Sequence, residues 1–295
     1  MKKHPLLIAA LLGSTLLPIA SRAQVVTPTA PILAPSMSEA DLRALGEGIA
    51  FPYEKLDAVL RANVNNEGAV FYSKLRNNND LETFARAVAI ADMTKFPQWM
   101  IPPDPEKPNS KATPDRTPQL TFYINAYNGL FLKAIADAYP VNSPSQIEGL
   151  DTAKTRVVAG KTYSFAELRE LIAEMDPRAL FALPDGTNSG PRAAAGVYRY
   201  AGLDEQLNAA ISFFVNDLTR VGTPARLQNS VEVSPWLATI DGYFAPKTGR
   251  RKWNGIRKIL SGYTKRKTDQ SYFSTGDYQV NFSLENRSIN EQLSR

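Results

Sequence analysis

The sequence predicts an α+β fold: a mostly helical single domain with a small sheet around a buried central helix. The first observation is the stretch QLTFYINAYNGLFLKAIADAY (119–139), which sets Leu120, Ile124, Tyr127, Phe131 and Ile135 on one helical stripe. Its opposite side, with Phe122, Ala126 and Ala136, is nearly as apolar, and a helix that is apolar all round is a buried one. Secondly, amphipathic periodicity recurs on either side of it, at Tyr53–Asn63 and Leu203–Asn216. Thirdly, strand-like runs are short: Arg156-Val157-Val158 and Lys161-Thr162-Tyr163 about an Ala159-Gly160 turn, Leu180–Leu183, and Val231-Glu232-Val233. A chain of 295 residues is long enough to bury a real core around these elements.

The elements follow in order. Lys2 and Lys3 precede an apolar run from Leu6 to Ala20, and Ser21-Arg22-Ala23 sets small residues at a cleavage site. This is the order of a secretory signal peptide over residues 1–23, so the protein is expected in the periplasm or outside the cell. Residues 24–38 read as a Pro-rich linker, and Ser38 with Asp41 resembles a helix start. A core domain is expected over 39–245. In it, Leu56, Val59 and Leu60 share a helical face, a second helix covers Asp80–Met93, and 101–118, with six prolines, forms an exposed insertion. Ser164 and Glu167 form a capping box that opens a helix over Phe165–Met175, ended by Asp176-Pro177. Ser234-Pro235 starts a short helix through Tyr243, and residues 246–295 are a basic C-terminal extension packing on the core.

Composition excludes much chemistry. The chain has no cysteine and one histidine, His4, inside the expected signal peptide. The mature protein would hold neither residue, which removes disulfides, Cys–His or Ser–His nucleophilic pairs, and zinc sites built on those ligands. The formal charge of +5 is partly an export signal, since losing Lys2, Lys3 and Arg22 leaves 31 basic residues against 29 acidic.

The segments FYINAYNGLFLKAIADAYPV (122–141), GKTYSFAELRELI (160–172), DPRALFAL (176–183), LDEQLNAAISFFVND (203–217) and VEVSPWLATIDGYF (231–244), with the lead-in LDAVLRANVNNEGAVFYSKL (56–75), occur in a telling order. The chain resembles the bacterial family called domain of unknown function 547, from about residue 50 to residue 260. The Asn-Ala-Tyr-Asn helix is the most specific motif. The resemblance implies a fold and a compartment more than a reaction. Family members commonly show Glu-His in a helix, a histidine before Phe-Ala-Leu, and two cysteines flanking a small polar loop. In this chain those positions hold Arg169-Glu170, Leu180, and Asp185 with Gly190. The loop length is kept while every thiol and imidazole is replaced.

Three groups of candidate site residues remain. Asn125 and Asn128, three apart on a dry helix, either line a cleft and hold a ligand or tie down the backbone of the 184–191 loop, and the second role is the one expected. The loop itself offers Asp185 as the candidate catalytic carboxylate and Thr187, Asn188 and Ser189 as cleft candidates. Asp185, Thr187 and Asn188 could form an all-oxygen metal site, but the same residues are ordinary turn formers, so neither metal nor cofactor is assigned. Glu167, Glu170 and Glu174 at helical spacing read as a solvated face. The third group is basic. KTGRRKWNGIRKILSGYTKRK (247–267) carries nine Lys or Arg and no acid, with Trp253, Ile256, Ile259 and Leu260 as a docking face. Arg250, Arg251, Lys252, Lys265, Arg266 and Lys267 are expected to meet an anionic lipid or cell-envelope polymer; export argues against nucleic acid. The function expected is a catalytically degenerate binding or cell-envelope interaction domain, with an unspecified small-molecule ligand. The alternative is a hydrolase-type enzyme using carboxylates, hydroxyls or a hard metal ion.

Overall fold

The computed structural model describes residues 51, 53–96, 100–106, 109–245 and 251–292. The expected signal peptide, the linker, the helix start at Ser38, and Arg250 lie outside the described residues. Helix α1 (Tyr53–Asn63) buries Leu56, Val59 and Leu60, the three residues its periodicity singles out. A single turn, α2 (Tyr72–Leu75), leads to α3 (Asn79–Ile90). The Asn78 side chain accepts the Leu81 N–H at 2.9 Å and so satisfies one of the free donors at the start of α3. β1 (Met100–Ile101) and β2 (Thr113–Pro114) pair antiparallel at the base of the Pro-rich stretch. Residues 117 and 118 belong to the next helix instead of the insertion, because Pro118 suits a first helical turn, where no N–H is needed.

That helix, α4 (Thr117–Ala138), is the centre of the molecule. Phe122, Ile124, Ala126, Tyr127, Ile135 and Ala136 on it are shut off from solvent completely. β3 (Arg156–Val158) and β4 (Lys161–Tyr163) form the expected hairpin. Next, Ser164 Oγ accepts the Glu167 N–H while the Glu167 carboxylate accepts the Ser164 N–H, and this reciprocal cap opens α5 (Phe165–Met175).

The expected strand at Leu180–Leu183 is not one. Residues Pro177–Ala182 form a 3-10 helix whose start is set by Asp176, which accepts the Arg178 N–H at 2.9 Å, and by Pro177 in the first position. Four consecutive apolar residues buried on all sides fit a helical turn as well as a strand. α6 (Leu203–Asn216) follows Gly202, at φ +84°. β5 (Ser230–Val233) pairs in parallel with β6 (Gln279–Phe282), so among the described residues the strands form three separate two-stranded pairings. Between β5 and β6 lie α7 (Trp236–Phe244), α8 (Asn254–Tyr263) and α9 (Lys267–Thr275). α8 buries Ile256, Ile259 and Leu260, and the Ile256 N–H donates to Asp241 Oδ1 at 2.8 Å. Among the described residues no helix is long and apolar enough to cross a membrane.

Candidate functional site

A cleft of about 580 Å³ opens between α4, α5, α7 and the 180–185 segment. Tyr127 and Phe131 of α4 form its floor, stacked with ring centres 5.5 Å apart and both set edge-on to Phe165. From α7 come Trp236, Thr239, Ile240 and Tyr243, a helical stripe on one face of that element. α5 contributes Arg169 and Glu170, and Leu180, Leu183 and Asp185 close the inner end.

Arg169 is held in place from two sides. Its Nη1 lies 2.6 Å from Asp151 Oδ1 and donates to the Tyr127 hydroxyl at 3.2 Å, while Nη2 donates to Asp151 Oδ2 at 2.6 Å. Burial works against the Arg169 charge, but Tyr127 and Asp151 more than offset it, and its pKa lies above the usual arginine range. Burial pushes Tyr127 up to about 12. At the rim the Tyr243 hydroxyl donates to Glu170 Oε2 at 2.6 Å, and burial together with that carboxylate pushes Tyr243 up to about 12. Glu170 is therefore a cleft residue, not simply part of a solvated face. Glu167 serves the cap of α5 and pairs with Lys154, and Glu174 is exposed.

Asp185 sits where the sequence placed the candidate carboxylate. Its Oδ1 accepts the Thr187 N–H at 2.8 Å and the Thr187 hydroxyl at 2.9 Å. Burial raises its pKa above the usual carboxylate value, against the opposing pull of Thr187, Arg220 and Arg169. Two glycines make the loop possible. Gly186, at φ +73°, would with a Cβ come within 2.7 Å of Ile135 Cδ1 on α4; a Cβ on Gly190 would stand 2.0 Å from Asp185 Oδ2. The carboxylate thus fills the space a side chain at 190 would need.

The other loop candidates do not line the cleft. Thr187 is spent on Asp185, and its hydroxyl accepts the Gly190 N–H at 3.1 Å. The Asn188 N–H donates to Ser288 O, and its side-chain amide turns to the carbonyls of Ser288 and Ile289. Ser189 Oγ accepts the Asn286 N–H at 2.7 Å. These residues stitch the loop to the C-terminal segment. Asp185 and Thr187 are bonded to each other, while the Asn188 amide is turned to the Ser288 and Ile289 carbonyls.

Asn125 and Asn128 do not support the 184–191 loop either. Asn125 clasps a different segment: its Nδ2 donates to Tyr198 O at 2.8 Å, and the Tyr198 N–H donates to its Oδ1 at 2.9 Å. Asn128 is buried, and among the described residues its Oδ1 meets no donor. Helical geometry explains the correction. At roughly 100° per residue, Asn125 points away from Tyr127, which faces the cleft.

In the basic segment, Arg251 pairs with Asp277 at 2.9 Å. Arg266 lies 3.0 Å from Asp269 and donates to the carbonyls of Val221 and Gly222, so it is part of the fold instead of a free surface charge. Lys252, Lys265 and Lys267 are exposed.

Fold and site together define a helical α+β domain with an aromatic, carboxylate-bearing cleft beside the 180–185 segment. Residues 112–215 match the model of the family described as "Protein of unknown function, DUF547". The match runs from the end of the Pro-rich stretch through α6, and the resemblance read from the sequence holds over those residues. No curated protein and no solved structure matches the chain.

Proposed function

We propose that this protein is a binding domain whose cleft holds a small molecule without transforming it. One observation carries the reading. The positions at which the family resemblance expects Glu-His, a histidine and the first cysteine all border the cleft, and they hold Arg169-Glu170, Leu180 and Asp185. The cavity persists while the thiol and imidazole that would do nucleophilic work in it are missing. What remains is suited to recognition. Arg169 is fixed, Glu170 and Asp185 accept hydrogen bonds, and Trp236 and Tyr243 offer ring surface, which suits a ligand carrying hydroxyl or amino donors. Mass spectrometry of protein taken from its native host tests this. A small molecule should accompany the natural protein and be missing from Thr239→Trp, in which an exposed rim residue fills the cleft.

A second reading rests on Asp185, a cleft carboxyl whose pKa burial raises, which is the direction of shift a general acid needs. It predicts hydrolysis of an ester, amide or glycoside that is lost in Asp185→Asn.

Export belongs to the same proposal, supported by the charged, apolar and small-residue order of residues 1–23. The intact mass of that native sample should start at Gln24. Contact with an anionic lipid or envelope polymer is supported by exposed Lys252, Lys265 and Lys267, at about 1 kcal/mol for each basic residue near an anionic surface. Changing these three to Gln, and leaving Arg266 alone, should abolish co-flotation with anionic liposomes at unchanged Tm. Flotation that survives both the change and high salt would refute an electrostatic contact.

A further inference from the structure

A second cleft, about 490 Å³, lies between the C-terminal end of α1, the outer face of α6 and residues 191–198. Its lining has the opposite character from the first. Arg61, Arg192 and Arg220 border it and no Asp or Glu does. We propose that it is a binding site for a small organic anion, a carboxylate head carried on an apolar body.

The charge balance comes first. Arg192 Nη2 and Arg220 Nη1 both bind a single oxygen, Asp217 Oδ2. On the other wall, Asp57 Oδ2 lies 2.7 Å from Arg61 and 3.5 Å from Arg199. Each carboxylate answers two guanidiniums. Asp185 also acts on Arg220, so with Asp57 and Asp217 four cations share three acids. Arg220 is only 5% exposed, and its Nε donates to Gly190 O at 2.9 Å. Arg61 and Arg199 are open to solvent, but the charges of Arg220 and, in part, Arg192 are held away from bulk water, where a bound anion gains most.

The guanidiniums are anchored as well. That of Arg192 is tied to Asp217 and lies 4.5 Å from the Phe213 ring centre, and that of Arg61, though exposed, pairs with Asp57 Oδ2 at 2.7 Å. Fixed guanidiniums match a carboxylate better than mobile lysines do. The Val197 and Tyr198 N–H groups are anchored on Asp57 and Asn125. Just before them, the N–H groups of Ala194, Ala195 and Gly196, which border the cleft, meet no protein acceptor among the described residues. Such N–H groups beside guanidiniums can donate to a carboxylate. The floor, Ala209, Ala210 and Phe213, is apolar, and Phe213 is 48% exposed. An anion with no apolar part would leave that floor uncovered.

The test is an NMR titration of the full mature chain, following backbone amides, with octanoate, octan-1-ol and octylamine as probes. Octanoate should shift Ala194, Ala195 and Gly196 saturably, and octan-1-ol and octylamine should bind at least tenfold more weakly. Arg61→Gln combined with Arg192→Gln should weaken octanoate at least tenfold. Ala209→Trp, on the exposed face of α6, should block it while the fold stays intact, which covers the case in which the arginine variant fails to fold. Equal affinity for octan-1-ol would reduce the site to an apolar groove and overturn the proposal. So would octanoate shifts that miss residues 194–196.

Discussion

Asp217→Asn should cost about 3–5 kcal/mol of stability at neutral pH, the range for removing one partner of a buried ion pair. Asp217 follows α6 directly, and its two oxygens have separate tasks. Oδ1 accepts the Thr219 N–H at 2.9 Å and the Thr219 hydroxyl at 2.7 Å, while Oδ2 takes Arg192 and Arg220. The side chain is 11% exposed and that of Arg220 5%. An amide that keeps the Thr219 N–H bond turns its NH2 toward the two guanidiniums, and one that offers them its neutral oxygen loses that bond. The pH dependence has a definite sign. Burial raises the Asp217 pKa, but Thr219 and the two arginines outweigh it, and the folded value lies below the ordinary one. Its contribution is complete above the unfolded-state pKa and is lost as pH falls through the folded-state pKa. Denaturant unfolding of parent and variant should therefore differ most at neutral pH and converge in acid. Equal midpoints at neutral pH would mean that Asp217 does not hold the two arginines.

Gly255→Ala should be of similar severity, at the upper end of the roughly 1–3 kcal/mol, occasionally more, seen on overpacking. A Cβ at this position would stand 2.0 Å from Asp241 O and 3.0 Å from Ala245 N. Both atoms are backbone, so no rotamer change relieves the clash, and α7 and α8 must move apart. That would also pull the Ile256 N–H from Asp241 Oδ1. Gly262, on the same helix, provides the control because nothing lies within 4 Å of its Cβ position. Gly262→Ala should stabilise by about 0.5–1 kcal/mol through helix propensity alone. Thermal melts of the two variants should move in opposite directions; a shared direction would contradict the packing of α8 described here.

What could be read from the chain was what local chemistry decides. α1, α5 and α6 came from periodicity and from the Ser164–Glu167 cap, and the 156–163 hairpin from a turn with two positive φ values, at Ala159 and Gly160. The 3-10 turn at 177–182 was missed, although Asp176-Pro177 is a helix-start signal. An apolar run too short to show a period was read as a strand. β6 was missed because its partner, β5, lies far away in sequence and pairs in parallel, with no hairpin turn to announce it. The cleft was half visible. Asp185 and the Arg169-Glu170 pair stand out through the resemblance, whereas nothing local singles out Trp236, Thr239, Ile240 and Tyr243 as the facing wall. Asp57 and Asp217 each have one local partner, Arg61 at i+4 and Arg220 at i+3, but their second partners, Arg199 and Arg192, come from distant segments and leave no local trace.

The central claim is that the cleft of Arg169, Glu170 and Asp185 binds without turning over. It is tested most directly by a time course of native mass spectrometry on protein freshly recovered from its host, with natural protein, Asp185→Asn and Thr239→Trp side by side. One small molecule should stay unchanged in mass on the natural protein through prolonged incubation and be absent from Thr239→Trp. Conversion of that molecule by the natural protein, but not by Asp185→Asn, would contradict the account and make Asp185 a catalytic residue.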